Sequence, residues 1–346
     1  MKRAVLALLI SLGLGLLGLY LVAGPAAFQL ETYSLPTVSL PLALLIAAAA
    51  AAYWLVPALG LQALSVVQGH GLPFGTGLLI HLVGLYGAAV TPGGSGGAPA
   101  IAAALRRAGL SLGTGVAIAV QVTVLDLVFF AWALPVSLAY LLLGGGATAL
   151  SAALVALALV SMAAAIAASI VLGRCPRLAV RLLLWLAGRP TLTRFRSRLV
   201  AGARAYYRSS RLFGAMPFSA WISLQALSAL GWLGMFVLCW SLVGAFGPLE
   251  LLPTIASLTI VTLVAFIVPT PGGSGFIEVA VGYGIGAQSA LADSVTPPLL
   301  LWRLATFYLI FLLGPLASGL LVAGRFGRVS AGKRRTPRED RPRHAS

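Results

Sequence analysis

The sequence contains few charged residues, and acidic residues are the scarcest of these. Charged residues make up 9% of the chain and hydrophobic residues 60%, and only 7 residues are Asp or Glu. The mean hydropathy of +1.02 is far above the range of soluble domains, because a soluble core could not keep that much apolar surface from water. The composition therefore excludes a soluble globular protein and predicts a polytopic membrane protein.

Cysteine is also scarce, and the chain has no recognisable cofactor pattern. The 2 cysteines, Cys175 and Cys239, lack disulfide or metal-ligand spacing, so we expect both to be ordinary apolar residues. The sequence contains no nucleotide-binding motif, metal motif or Ser-His-Asp pattern. We therefore expect no cofactor and no metal site, and neither an ATP-driven pump nor a hydrolase is supported.

Positive charge is abundant but concentrated. The 23 Lys and Arg residues fall within residues 2–3, 106–107, 174–211, 303 and 325–343. Clustering beside apolar segments is the positive-inside signal, which predicts that both termini and the loop at 174–211 are cytoplasmic. The charge thus encodes orientation, and we expect no binding of nucleic acid.

Six apolar runs have the length of a full membrane span. They lie near residues 4–24, 39–59, 112–141, 147–173, 217–246 and 297–323. The first run carries small residues near 13–18, a spacing that suits close helix contact.

The hexapeptide TPGGSG occurs twice, at residues 91–96 (the first turn) and 270–275 (the second turn). Proline lacks an N–H and disfavours helix in the preceding residue, while glycine reaches positive φ, so each hexapeptide ends a helix and allows a tight turn. Lipid offers irregular backbone no hydrogen-bond partner. Each turn is therefore expected to face the protein interior.

The turns lie in two segments, 76–108 and 251–293, that the six spans leave over. With both termini inside, each segment must return to the face from which it starts, the first from the cytoplasmic side and the second from the outer side. Oppositely oriented broken elements are typical of inverted-repeat transporters. An alternative is that each arm crosses fully, which gives ten short spans with the same end locations.

The sequence therefore predicts an all-α polytopic membrane protein, an inverted repeat of two halves with about six full spans and two Gly-rich re-entrant hairpins. Four parts are expected: a first membrane repeat (1–173), a basic amphipathic cytoplasmic loop (174–216), a second membrane repeat (217–323) and a disordered basic cytoplasmic tail (324–346).

The two turns are candidate substrate-binding elements. Ser95 and Ser274 are expected to be N-caps of the helices that follow, and free amides at a helix start, with the positive end of the dipole, form an anion site. Two such sites could hold a lipid phosphate. The alternative is that small residues simply allow sharp turns and close packing. The candidate residues are Gly93, Gly94, Ser95, Gly96, Gly272, Gly273, Ser274 and Gly275.

Two acidic residues fall inside apolar segments, Asp126 in QVTVLDLVFF and Glu278 in GSGFIEVAV. Carboxylates at membrane depth are costly and usually mark a binding site or pathway. Arg303 is their natural partner. We expect these three residues to surround one cavity with both turns, with Arg303 attracting a phosphate and a carboxylate holding or releasing it. The alternative is a structural ion pair that locks helices together.

The segment PTPGGSGFIE, followed by LLLWRLATFYLIFLLGPLASG, resembles the flippase-like family that includes the transmembrane region of lysylphosphatidylglycerol synthase. TPGGSGG, a basic pair and VLDLVFF agree in the first half. The resemblance implies a bacterial inner-membrane protein that moves phospholipids or polyisoprenyl-phosphate-linked lipids between leaflets. It carries over the site residues Gly272, Gly273, Gly275, Glu278, Arg303 and Asp126.

The chain departs from the family pattern in two places. It has Gly97, Ala98 and Pro99 where many relatives have an acidic residue and an arginine, which puts the role of that pair in doubt. We also expect no aminoacyl-transferase domain after residue 323, so that the chain is the translocating part alone.

These observations predict a transporter of an anionic lipid, not an enzyme. The membrane and the anionic lipid are the expected partners, together with a second copy of the chain or envelope lipid enzymes. Two other functions remain open: a membrane-embedded lipid or glycosyl transferase, for which no donor motif is visible, and a scaffold for envelope lipid enzymes.

Overall fold

The computed structural model describes residues 2–23, 36–143, 196–286, 296–324 and 330–331, with isolated residues between 156 and 185. The described backbone is mainly helical. Its helices are α1 (Lys2–Ala23), α2 (Leu40–Val67), α3 (Phe74–Ala89), α4 (Gly97–Arg107), α5 (Leu112–Leu143), α6 (Arg196–Gly214), α7 (Phe218–Gly244), α8 (Leu251–Ala265), α9 (Phe276–Gly286), α10 (Thr296–Arg303) and α11 (Ile310–Val322). A π-helical segment, Leu304–Tyr308, joins α10 to α11, and the short strands β1 (His70–Gly71) and β2 (Ser330–Ala331) pair antiparallel.

Within the described residues, 4 helices are long and apolar enough to cross a membrane. They are α2, α5, α7 and the continuous helix Thr296–Val322. The prediction of an all-α polytopic membrane protein is confirmed. Helix α1 covers the first predicted span, whereas the span predicted at 147–173 and the tail after 331 lie outside the described ranges.

The first turn joins α3 and α4 into a hairpin. Helix α3 has 16 residues and α4 has 11, or about 24 Å and 16 Å at 1.5 Å per residue, and both are shorter than the roughly 30 Å hydrocarbon core. The helices lie close because α3 presents glycines: a Cβ at Gly84 would be 2.6 Å from Ile101 Cγ1, and one at Gly87 would be 2.6 Å from Ala100 Cβ. These are the dimensions expected of a re-entrant hairpin.

The second turn joins α8, with 15 residues, to α9, whose described part has 11. The remainder of the predicted segment, up to residue 293, lies outside the described residues. Helix α8 is deeply buried, and its buried side chains join the large apolar cluster that also contains Phe129, Phe130 and Phe236. Helix α8 is therefore embedded in protein, whereas Phe266, Ile267 and Pro269, which follow it, are exposed.

The two halves of the chain pack into each other. Helix α7 of the second half crosses α2 of the first, where a Cβ at Gly234 would be 2.7 Å from Ala52 Cβ. Helix α11 packs on α3, where a Cβ at Gly314 would meet the Tyr86 ring. The boundaries between the four predicted parts stay a prediction.

The described end of the predicted basic loop is the amphipathic helix α6. Its Ala203, Tyr206 and Phe213 are buried, whereas Arg204 and Arg208 are exposed. This is the pattern of a helix with one face on protein and one charged face outward. Its cytoplasmic location stays a prediction.

Candidate functional site

The two turns contact each other. The expectation that each turn faces the protein interior is wrong for the first turn, in which Pro92 and Ser95 are exposed, whereas Gly273 and Ser274 of the second turn are buried. Pro92 and Pro271 form an antiparallel backbone bridge. Next to it, a Cβ at Gly93 would lie 2.6 Å from the carbonyl oxygen of Phe266, so only glycine allows the first turn to approach the second hairpin this closely. The sequence prediction that the hexapeptides mark equivalent, facing points thus has a direct structural counterpart.

The turns share one backbone conformation at their first two glycines and differ at the last, where Gly96 has φ of −80° and Gly275 has φ of 86°. Gly93 and Gly94 have φ of 58° and 69°, and Gly272 and Gly273 have φ of 57° and 68°. The turn hydrogen bonds match as well: Gly94 N donates to Thr91 O at 3.3 Å, Gly273 N to Thr270 O at 3.2 Å, Ser95 N to Pro92 O at 3.3 Å and Ser274 N to Pro271 O at 3.1 Å. The repeat in sequence is therefore a repeat in structure.

The expectation that the two serines are helix N-caps is wrong. The N-cap of α4 is Gly96, without a side-chain bond, and Ser95 is exposed. Helix α9 begins at Phe276, so Gly275 takes the corresponding position before the helix. The reason is that the turn uses all four residues Gly-Gly-Ser-Gly, which places each serine one residue too early. Ser274 is instead buried, and its Oγ accepts a bond of 3.4 Å from Arg303 Nη2.

A buried ion pair lies directly on the second turn. Arg303 Nε donates to Glu278 Oε1 at 2.7 Å, and the side chains are 5% and 1% exposed. The other carboxylate oxygen, Oε2, accepts a 2.7 Å bond from the backbone N–H of Gly275. Glu278 is the third residue of α9, so this second bond is the backbone half of a capping box. Glu278 therefore joins the arginine to the helix start.

Aromatic rings complete the surroundings of Arg303. Its guanidinium carbon lies 4.2 Å from the centroid of the Phe307 ring and 5.9 Å from that of Tyr308. A Cβ at Gly272 would meet the Phe307 ring, so the second turn packs against the same aromatic group. The turn, the ion pair and the two rings form one cluster, which we call the arginine site.

The π-helical segment follows Arg303 immediately, and the sequence analysis missed it. One extra residue per turn leaves backbone groups out of the α-helical pattern. Here Tyr53 on α2 donates its hydroxyl to the carbonyl oxygen of Thr306 at 2.9 Å, and Thr306 Oγ1 donates to Trp302 O at 2.8 Å. Contacts between elements distant in sequence support this segment, so no local pattern indicates it.

Helix α1 covers the arginine site. A Cβ at Gly18 would be 2.8 Å from Gly275 O and 3.1 Å from Glu278 Cβ, and one at Gly15 would meet the Tyr308 hydroxyl. The small residues near 13–18 thus act in close packing, as their spacing indicates. Because the backbone of α1 lies directly on the ion pair, a ligand from the lipid can reach the pair on this side only if α1 moves.

Asp126 has other partners. Its Oδ1 accepts bonds from Ser228 Oγ at 2.8 Å and from Trp232 Nε1 at 3.1 Å, both on α7. The Trp232 ring is 6.1 Å from the ring of Phe266, the residue whose carbonyl Gly93 approaches. The structure thus brings together Glu278, Arg303 and the second turn, with the first turn in contact with the second. Asp126 instead hydrogen-bonds to neutral side chains of α7. A role for Asp126 in substrate binding stays a prediction.

Comparison with known protein families gives a match over most of the chain. A family model described as the lysylphosphatidylglycerol synthase TM region matches residues 4–314, which include both turns, Asp126, Glu278 and Arg303. The chain belongs to the lysylphosphatidylglycerol synthase transmembrane-region family. No curated protein and no solved structure matches it.

The arginine site of this family member suits an anion. A guanidinium group carries its N–H groups along the edges of one plane, an arrangement that fits phosphate. Aromatic rings contact the faces of that plane, so they leave the N–H groups at the edges available. Glu278 now occupies the Nε edge, so a phosphate must displace the carboxylate to bind there. In the described part of the chain, no group of three His, Cys, Asp or Glu side chains could hold a metal ion.

We expect Asp126→Leu to lower the free energy of unfolding by about 1–3 kcal/mol, because it leaves the Ser228 hydroxyl and the Trp232 N–H without their acceptor. Asp126→Asn retains an oxygen at this position and is expected to cost much less. Thermal unfolding in detergent measures both. Equal losses in the two variants would show that the fold requires the charge and not the acceptor.

Proposed function

We propose that the protein moves an anionic lipid between the leaflets of a bacterial inner membrane, with both termini in the cytoplasm. The lipid is a phospholipid or a polyisoprenyl-phosphate-linked lipid, and its phosphate binds Arg303. The observation that carries this proposal is the ion pair of Glu278 and Arg303, buried on the second turn of a membrane protein.

The energetics of buried charge support a functional role for this pair. Desolvation of two ions offsets most of their attraction, so an apolar pair of similar volume usually stabilises a protein as well or better. Charged residues within membrane segments accordingly tend to mark binding sites. The pair needs a reason beyond stability, and anion binding by Arg303 supplies one.

The transport step is an exchange of anions at Arg303. The lipid phosphate takes the place of the Glu278 carboxylate, so the guanidinium keeps one negative partner throughout. The displaced Glu278 carboxylate takes up a proton or becomes hydrated, since it would otherwise remain as an unpaired buried charge. With that step one ion pair replaces another, and the lipid can be released when Glu278 loses its proton or water and pairs with Arg303 again. Helix α1 must move for this exchange, since Gly15 and Gly18 lie on the pair.

Fluorescent anionic lipids in proteoliposomes test the proposal. The fraction of label accessible to a membrane-impermeant quencher is followed with time, for anionic and zwitterionic lipids. We expect accelerated movement in both directions without ATP, with the anionic lipid favoured. Modification of the lipid without movement would indicate a transferase. If the lipid is neither moved nor modified, a scaffold function is indicated.

A further inference from the structure

The two turns differ in the acceptor of one backbone amide. In the first turn, the N–H of Gly96 donates to Thr91 Oγ1 at 2.7 Å. At the equivalent position of the second turn, the N–H of Gly275 donates to Glu278 Oε2 at 2.7 Å. The same backbone amide thus has a threonine as acceptor in one turn and a carboxylate in the other.

The equivalent threonine of the second turn is left without a partner. Thr270 Oγ1 is buried and makes no hydrogen bond with any described residue. In the first turn, the hydroxyl of Thr91 also donates to Gly87 O at 2.8 Å, a carbonyl of the last part of α3. An unpaired buried hydroxyl is unusual, and each instance requires an explanation.

The sequence before each turn explains the difference. Helix α3 runs to Ala89, two residues before its threonine, whereas α8 ends at Ala265, five residues before Thr270. Pro269 disfavours helical backbone in the residue before it, so the second hairpin unwinds earlier. Thr270 therefore lacks a helical carbonyl like the one to which Thr91 donates. In the first half, Pro99 occupies the position equivalent to Glu278, so no carboxylate competes with Thr91 for the amide.

We infer that Thr270 is a positioning residue for the proposed transport: it accepts the Gly275 N–H when Glu278 releases Arg303. The inference rests on the proposed function, in which the lipid phosphate displaces the Glu278 carboxylate from Arg303. Without an alternative acceptor, the departing carboxylate would leave a partly buried amide without a partner, which would oppose the release. The first turn already contains the second arrangement, and the φ values of Gly93 and Gly94 agree within a few degrees with those of Gly272 and Gly273, whereas Gly96 has φ of −80° and Gly275 of 86°.

A double-mutant cycle on stability tests the inference without any transport. One background is wild type, and the other is Glu278→Leu with Arg303→Met, which removes the competing acceptor and leaves no unpaired charge. We expect Thr270→Val to leave the unfolding temperature of the wild type unchanged or to raise it, because the hydroxyl has no partner there among the described residues, and to lower that of the charge-free background by about 2–4 °C. Thr91→Val is the matched control and should lower the temperature in both backgrounds. An equal effect of Thr270→Val in the two backgrounds would overturn the inference.

Transport provides a second readout that does not depend on the charge-free background folding. Thr270→Val in the otherwise wild-type protein is expected to slow lipid movement about tenfold, the effect of one unsatisfied amide, and Thr270→Ser should restore it. If serine fails to restore transport, Thr270 does not act through its hydroxyl. If the wild type itself moves no lipid, the proposed function fails, and the stability cycle still decides the role of Thr270.

Discussion

Replacement of Glu278 by leucine together with Arg303 by methionine is expected to abolish transport of the anionic lipid and to leave the fold intact. The double variant exchanges a buried ion pair for two apolar side chains, a change that is often neutral or stabilises a protein by about 1–4 kcal/mol. In the proposed mechanism, the lipid phosphate then loses its charge-assisted partner at the arginine site. Loss of one such bond alone corresponds to roughly 10- to 150-fold in affinity.

The single variants are the controls. Glu278→Leu or Arg303→Met leaves one buried ion unpaired, since the pair is 1% and 5% exposed, and should cost about 3–5 kcal/mol of stability. Thermal unfolding and transport in proteoliposomes, measured on the same preparations, separate the two roles. A stable double variant that transports at the wild-type rate would mean that the pair only locks helices together.

Gly93→Ala is expected to destabilise the protein far more than Gly94→Ala. Both glycines have positive φ, 58° and 69°, so both substitutions carry the same cost of about 1–2 kcal/mol for a left-handed L-residue. Only at Gly93 would the new Cβ approach backbone, 2.6 Å from Phe266 O. At Gly94 the nearest atom is Ala88 Cβ at 3.7 Å. The clash should add about 1–3 kcal/mol, by analogy with an overpacked core.

The neighbouring glycine is thus an internal control for the contact between the turns. Unfolding temperatures in one detergent and lipid mixture measure the difference. Equal destabilisation by the two substitutions would show that the first turn does not contact Phe266, and the shared arrangement of the turns would then be incorrect.

Much of the fold follows from local features of the sequence. Apolar run length determines the long helices, and Pro-Gly-Gly in TPGGSG determines where the hairpins bend, because these residues restrict or free the backbone by themselves. The pairing of Glu278 with Arg303 was also predictable. Few charges lie within apolar segments, so each has few candidate partners.

The features that escaped prediction depend on contacts between distant segments. Asp126 is satisfied by Ser228 and Trp232, neutral side chains that do not stand out in an apolar helix. Because α8 ends early, Thr270 does not make the hydrogen bonds that Thr91 makes, although the hexapeptides are identical. An identical local sequence thus has a different hydrogen bond because its flanking residues differ.

The most direct measurement of the central claim is the position of lipid phosphate in a cryo-electron microscopy map of the protein in nanodiscs of anionic lipid. The account predicts a phosphate within hydrogen-bond distance of the Arg303 guanidinium, with Glu278 turned away from Nε and α1 displaced from Gly275. Lipid phosphates bound only elsewhere, with the Glu278–Arg303 pair intact in every lipid-bound class, would contradict it.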